Sequence, residues 1–294
     1  MTGTTSSPAE GGSGSKAAGA GASAGAGTPP RERIARWATE LWQPPLRDET
    51  WDVVIVGSGY GGSAAAATLA GREVWDEKKR DWRPMSVCLL ERGREYLPGE
   101  FPSRFSDLPG HLRLTRGTHV SERQEGLLDL RLGEDVIALV GNGLGGGSLI
   151  NAGVLLAPEP DQVQGAVAQT LLRKLHDGGW FGKARSKLGA IVRDEHDREV
   201  ENTIELHTEV KGHPLPKSRA LARLATLGGQ HRAVPISVAM SRRANSANVL
   251  LNACTLCGDC MTGCNVGAKN SLDTNWLDSA HEAGVQIYKG ASVL

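Results

Sequence analysis

A parallel, doubly wound α/β sheet is the fold class that this 294-residue chain predicts, and three features carry it. A short apolar run ends in a glycine-rich turn, an alanine-rich segment follows the turn, and a second apolar run closes on an acidic residue. The first run, Trp51-Asp52-Val53-Val54-Ile55-Val56, stops at Gly57 and suits a strand buried on both faces of a parallel sheet. Ser63 to Leu69 reads as the helix, and Val87 to Leu90, ending in Glu91, as the second strand. Together they predict a β-α-β unit, interrupted between Arg72 and Pro84 by a polar insert with two tryptophans.

The rest of the chain fits that class. Ile34, Trp37, Ala38, Leu41 and Trp42 recur at helical spacing ahead of Pro44 and Pro45, so a short amphipathic helix is expected there. Leu127 to Leu132 and Val136 to Val140 flank Gly133-Glu134-Asp135 and predict a hairpin. Helical patterning runs from Gln162 to about Ala190, a charged segment without clear pattern reaches Glu201, and Ala233 to Met240 predicts a strand. A helix from Leu272 to about Ala283 and a strand from Val285 to Val293 close the chain. A last strand of this kind leads us to expect the N-terminal part of a longer protein.

Composition narrows the function classes. Thirty-three Lys and Arg balance thirty-three Asp and Glu, so no one-signed field is present to attract nucleic acid or anionic lipid. Residues 1–30 are almost all Gly, Ala, Ser, Thr and Pro, a composition that cannot bury enough apolar surface to offset chain entropy, and a disordered tail is expected. The tail has no secretory signal pattern, and no apolar stretch in the chain reaches membrane-spanning length. Four of the five cysteines crowd between Cys254 and Cys264, unlike a disulfide framework spread through a secreted domain. The expected compartment is the cytoplasm.

Two glycine segments carry the chemistry. Gly57-Ser58-Gly59-Tyr60-Gly61-Gly62 fits G-x-G-x-x-G between a predicted strand and helix. Gly57 permits the tight turn, Gly59 lets a pyrophosphate approach the backbone, and Gly62 lets helix and strand pack closely. The helix N-terminus offers free N–H groups and positive dipole to phosphates, and Glu91 stands where a carboxylate would accept hydrogen bonds from ribose hydroxyls. An ordinary glycine turn has the same letters, but not this strand–turn–helix–acid order. The pattern alone does not choose between NAD and FAD. The second segment, Gly141-Asn142-Gly143-Leu144-Gly145-Gly146-Gly147-Ser148-Leu149-Ile150-Asn151, is nearly free of large side chains and is expected to approach a flat ligand or phosphate. It lies between a predicted hairpin and the apolar Val154-Leu155-Leu156, which is not where a flexible linker is expected.

The first glycine segment, Leu90-Glu91-Arg92-Gly93, Gly145-Gly146-Gly147-Ser148-Leu149-Ile150-Asn151 and Gly267-Ala268-Lys269-Asn270-Ser271-Leu272-Asp273 together resemble the glucose-methanol-choline (GMC) oxidoreductases, in their cholesterol-oxidase-like branch. The resemblance runs from about Trp51 onward and is loose between Gln162 and His231. It implies a Rossmann-like FAD-binding sheet with an incomplete substrate domain. The divisions expected are 31–156 for the first part of the FAD domain, 157–247 for the start of the substrate domain, 248–271 for a cysteine-rich loop, and 272–294 for a return to the FAD domain. The implied FAD contacts are Gly57, Gly59, Tyr60, Gly61, Gly62, Glu91, Gly146, Gly147, Asn151 and, on the returning strand, Val293. The implied reaction is oxidation of an alcohol CH–OH, with a sterol as first substrate guess and oxygen or another electron acceptor as oxidant. Val154 replaces a methionine that this branch carries near the flavin. The family's catalytic histidine, its partner and the branch's glutamate come from the C-terminal half, so no catalytic residue is assigned. His111, His119, His207 and His213 are expected at the surface.

Cys254-x2-Cys257-x2-Cys260-x3-Cys264 has the spacing of bacterial ferredoxin clusters. Two readings stay open: the four thiolates ligate an iron–sulfur cluster or another metal, or the run is a reduced or disulfide-linked turn beside the flavin domain. Asn265 stands where the ferredoxin run has proline, and no second run exists to share clusters. Two functional alternatives accompany these readings: a flavin/iron–sulfur electron-transfer protein, and a catalytically silent fragment. Cys88 is expected as a small core residue.

Overall fold

The structure is a computed structural model that describes residues 29–33, 37–40, 50–117, 119–120, 125–194, 196–203, 215–225, 227–229 and 232–293. In chain order the regular elements are β1 (Thr39–Glu40), β2 (Val53–Val56), α1 (Tyr60–Leu69), β3 (Glu73–Asp76), β4 (Asp81–Pro84), β5 (Val87–Leu90), α2 (Leu108–His111), β6 (Leu112–Arg116), β7 (His119–Val120), β8 (Leu128–Leu132) and β9 (Ile137–Gly141). There follow α3 (Ala166–Asp177), α4 (Trp180–Lys187), β10 (Ile191–Arg193), β11 (Glu199–Glu201), α5 (Pro216–Ala225), β12 (Arg243–Ala244), β13 (Leu250–Leu251), α6 (Trp276–Glu282) and β14 (Gln286–Lys289).

The site rests on one sheet of order β1-β14-β5-β2, in which every pairing is parallel. This mixed α/β arrangement is compatible with a Rossmann-like fold. β5 has a neighbour on each side and buries Val87, Cys88 and Leu89 to 2% exposure or less, so its branched apolar residues each contribute about 1.5–3 kcal/mol by burial. β2 was expected to be buried on both faces; it buries Ile55 but leaves Val54 and Val56 more than half exposed. Its pattern is therefore that of a strand covered on one face only. The alanines of α1 let the helix lie close to α6, with Ala66 and Ala280 wholly buried in the core they share with Leu272, Leu277 and Ile287.

A second sheet, β7-β6-β8-β9, contains the expected hairpin, with Leu132 opposite Ile137. Its centre is Asp129, wholly buried and bonded to Thr115 Oγ1 (2.7 Å) and Arg92 Nη2 (2.9 Å). Burial raises the Asp129 pKa, but the Thr115 hydroxyl and the guanidinium groups of Arg92, Arg113 and Arg131 outweigh it, and the carboxyl sits below its usual range. The helical stretch expected to reach Ala190 is the pair α3 and α4. The polar insert is the hairpin β3–β4.

Further expectations change; the closing strand expected over Val285–Val293 spans only Gln286–Lys289. Within the helix expected over 34–42, residues 34–36 and 41–42 lie outside the described residues, while Thr39–Glu40 is a strand paired with Tyr288 and Lys289. The main-chain N–H groups of Trp37 and Ala38 donate to the wholly buried Glu95 carboxylate, which also holds Arg33 at 2.6 Å. That tertiary anchor overrides the helical periodicity. The strand expected over Ala233–Met240 is reduced to isolated bridges, Thr203 with Pro235, Val154 with Ile236 and Val238 with Lys269. The expected helix at Leu272 opens instead as a 3-10 turn, and α6 begins at Trp276. Residues 1–28 of the expected tail lie outside the described residues.

Candidate cofactor cradle

Gly57 has φ +89°, the left-handed region that favours glycine. A Cβ on Gly62 would lie 1.9 Å from the Gly57 carbonyl oxygen, so β2 and α1 can meet only with glycine there. At Gly57, Gly59 and Gly61 a Cβ would meet nothing within 4 Å, and the loop presents bare backbone to open space. α1 starts at Tyr60 and no side chain caps it. Its first-turn N–H groups have no intrahelical acceptor, and the positive end of the helix dipole falls at the same place.

The second glycine segment packs onto the first. A Cβ on Gly146, itself at φ +53°, would come within 2.9 Å of Gly59 Cα. Ser58 ties the two together: its hydroxyl donates to Glu91 Oε2 and accepts the Gly145 N–H at 2.9 Å. Glu91 is buried and also accepts Ser58 N–H on Oε2 (2.9 Å) and Gly93 N–H on Oε1 (2.7 Å). Three of about four carboxylate lone-pair sites are thus taken, and Oε1 retains one. Asn151 Nδ2 donates to the Tyr60 hydroxyl at 2.8 Å. Burial raises the Tyr60 pKa, and the bond from Asn151 opposes that rise.

The structure therefore brings Gly57, Gly59, Tyr60, Gly62, Glu91, Gly146 and Asn151 into one contiguous group, with Gly61 on the first turn of the helix. Gly147 is exposed, with open space where a Cβ would stand, and its carbonyl accepts the Asn151 N–H at 3.1 Å. Val293 is exposed beyond β14; its segment is tied to the group through Ala291 N–H and the Glu91 carbonyl (2.9 Å). Val154 is exposed, 40% accessible.

Lys269 joins this group to the cysteine turn. The side chain is almost wholly buried, and Nζ donates to the carbonyls of Asn151 (2.6 Å), Cys260 (2.9 Å) and Leu149 (3.0 Å). Burial lowers its pKa to about 8, against the opposing pull of Cys260, Cys264 and Asp273. Burial likewise pushes the Cys260 thiol up.

Cys254, Cys257, Cys260 and Cys264 all line one largely apolar cavity of about 580 Å³. None of the four is in a disulfide, and among the described residues no three of Cys, His, Asp and Glu converge on a point that could hold a metal ion. Cys254 and Cys264 lie against the apolar cluster of Val238, Met240 and Ala268, and their Sγ atoms accept main-chain N–H groups of Leu256 (3.3 Å) and Ala268 (3.4 Å). Cys257 is exposed.

Among the histidines, His119 is exposed, and His207 and His213 lie outside the described residues. His111 departs from its expected surface position: it is half-buried near Tyr96, with burial and the Arg94 guanidinium lowering its pKa. Sequence reasoning missed Ser58 and Lys269. Ser58 occupies a variable position of the glycine motif, so no pattern marks it, whereas Lys269 sits inside a segment already singled out and could have been flagged as a cation among apolar and small residues. Among the described residues no helix is long and apolar enough to cross a membrane.

No protein-family model matches the chain. A parallel sheet whose glycine turn meets a second glycine segment over a buried acid is compatible with a Rossmann-like fold, and the chain is similar to GMC-type oxidoreductases. It is 26% identical to a cholesterol oxidase from Acinetobacter baumannii, over 85% of this chain and 42% of that protein. It is 29% identical to a cholesterol oxidase from Mycobacterium tuberculosis, over 81% of this chain and 38% of that protein. A GMC-type oxidoreductase from the same organism is 27% identical over 82% of this chain and 32% of its own length. The chain thus spans less than half the length of these curated relatives.

Proposed function

We propose that this chain supplies the FAD-binding part of a GMC-type flavoenzyme that oxidises the CH–OH group of a bulky alcohol, with a sterol as the first candidate and oxygen or another acceptor as the terminal oxidant. The observation that carries the reading is the contact of Gly146 with Gly59 over an uncapped helix start, with buried Glu91 tied to both segments through Ser58. The residues present fit the cofactor: open space at Gly57, Gly59, Gly61 and Gly147 leaves the backbone accessible. In this reading the N–H groups of Tyr60 to Gly62 meet the pyrophosphate, and Glu91 offers its remaining Oε1 lone pair to ribose hydroxyls. Gly146, Gly147 and Asn151 face the flavin, and the backbone at Val293 meets the adenine end. Bound FAD would supply a hydride acceptor for the alcohol carbon. The bond from Asn151 to Tyr60 fixes the two glycine segments relative to each other, which is the positioning that hydride transfer needs. Residues 31–156 and 272–294 belong to the FAD-binding part, and 157–247 open the substrate domain of a cytoplasmic enzyme.

Nucleotide released by heat from the protein, produced as the longest natural reading frame containing this chain, is expected to be FAD. Recovery of NAD alone, or of no nucleotide, overturns the reading. Flavin bleaching under anaerobic conditions by sterols, and not by short alcohols, is the expected outcome for the substrate class; bleaching by short alcohols alone removes the sterol assignment and leaves the flavin reading standing.

A further inference from the structure

Away from the glycine cradle, β10, β12 and the Asn270 segment enclose a cavity of about 440 Å³. Its charged lining residues are Arg193, Arg243 and Glu199. Arg193 is paired, with Asp197 at 3.2 Å and Glu199 at 3.8 Å. Arg243 is not: among the described residues no carboxylate pairs with it and nothing accepts a hydrogen bond from its guanidinium. Burial lowers its pKa, and no counter-charge raises it. A partly buried cation held in this way costs free energy that an anion would offset.

Asn270, 5% exposed, adds a second donor. Its Oδ1 accepts from Asn245 Nδ2 (2.9 Å) and Asn275 Nδ2 (3.0 Å), which fixes the orientation of the amide. Among the described residues nothing accepts from its Nδ2. Gly189 stands beside both groups at φ +75°; a Cβ there would lie 2.9 Å from Asn270 Nδ2 and 4.0 Å from Arg243 Nη2. Glycine at that position keeps the guanidinium and the amide donor open to the same space. Ile191 and Leu251 supply apolar wall.

We propose that this cavity binds a small monocarboxylic acid, its carboxylate between the Arg243 guanidinium and Asn270 Nδ2 and its apolar body against Ile191 and Leu251. With Arg193 taken up by Asp197 and Glu199, the one lining cation left without a counter-charge among the described residues, Arg243, matches one carboxylate, and the planar fork of arginine suits its two oxygens. The volume falls within the usual range for small-molecule sites.

Thermal melts of the full chain in sodium benzoate, in neutral benzamide and in inorganic phosphate provide the test. With a dissociation constant on the order of 1 mM, about 20 mM benzoate is expected to raise the melting temperature by about 3 °C. Benzamide is expected to do nothing, and phosphate less than benzoate. Arg243→Gln should abolish the benzoate shift and melt no lower than the unliganded parent, because it removes an uncompensated charge; Arg243→Lys should keep a smaller shift. Equal shifts in parent and Arg243→Gln, no shift in the parent, or a larger shift with phosphate overturns the proposal. So does a much lower melting temperature of Arg243→Gln without ligand, since the guanidinium would then be a structural group.

Discussion

The glycine cradle and the cysteine turn are neighbours joined through Lys269, yet they are held together by opposite means. In the cradle, main-chain atoms touch: Gly62 against Gly57, Gly93 against Gly143 and Gly146 against Gly59 leave no room for a Cβ. In the cysteine turn, side chains do the packing, and the sulfur atoms settle among Val238, Met240 and Ala268. A site made of backbone follows wherever the glycines are in order. A site made of converging side chains needs every rotamer to agree, and two of the four sulfurs here already accept main-chain N–H groups.

The sharpest way to break this comparison is Gly62→Ala, whose methyl group would enter the Gly57 carbonyl; the expected cost is about 3 kcal/mol or more, read as loss of cooperative unfolding and of bound FAD. Gly59→Ala, with open space around its Cβ, is expected to keep the fold and lose FAD alone. Comparable melting temperatures for the two would show that the backbone contact at Gly62 is not limiting. Lys269→Met removes three charge-assisted bonds that join cradle and turn, and denaturant unfolding is expected to show a loss on the order of 3 kcal/mol. A loss no greater than that of a surface change would mean the two regions stand independently.

Two smaller effects sharpen it further. Because the Asp129 pKa is depressed in the folded state, the unfolded chain binds the extra proton. The stability Asp129 contributes is therefore present above the unfolded carboxylate range, near pH 4, and is lost as pH falls through the folded value. Asp129→Asn is expected to flatten the acid limb of the stability–pH curve, and an unchanged limb would remove Asp129 from the account. Cys257→Ser, at an exposed position, is expected to change stability by no more than about 0.5 kcal/mol and to leave iron and zinc content at background. A metal content that drops in this variant would show that the thiols do converge in solution.

The strand–turn–helix unit and the α3–α4 pair were legible because their causes are local: glycine at forced φ values, and apolar residues at fixed periods. Glu91 was legible by its place at the end of β5. Its bonds to Ser58 and Gly93 were not, because they depend on how two loops close on one another. The segment around Trp37 misled for the same reason: its periodicity is helical, but the buried Glu95 carboxylate, 57 residues beyond Ala38, fixes it as extended chain. Val54 and Val56 are exposed because the face of β2 they share is left uncovered among the described residues, which depends on what packs on the sheet and not on the strand's own residues.

The β3–β4 hairpin places Trp75 directly across from Trp82, with ring centroids 5.7 Å apart and the planes inclined at 71°. Indoles this close share their ultraviolet excitation, and the shared transition divides into a pair of circular dichroism bands of opposite sign. Both rings are solvent-accessible, and each belongs to a strand outside the parallel sheet. The hairpin therefore carries its own optical signature, through which its opening can be followed separately from the melting of the strands that hold the glycine cradle.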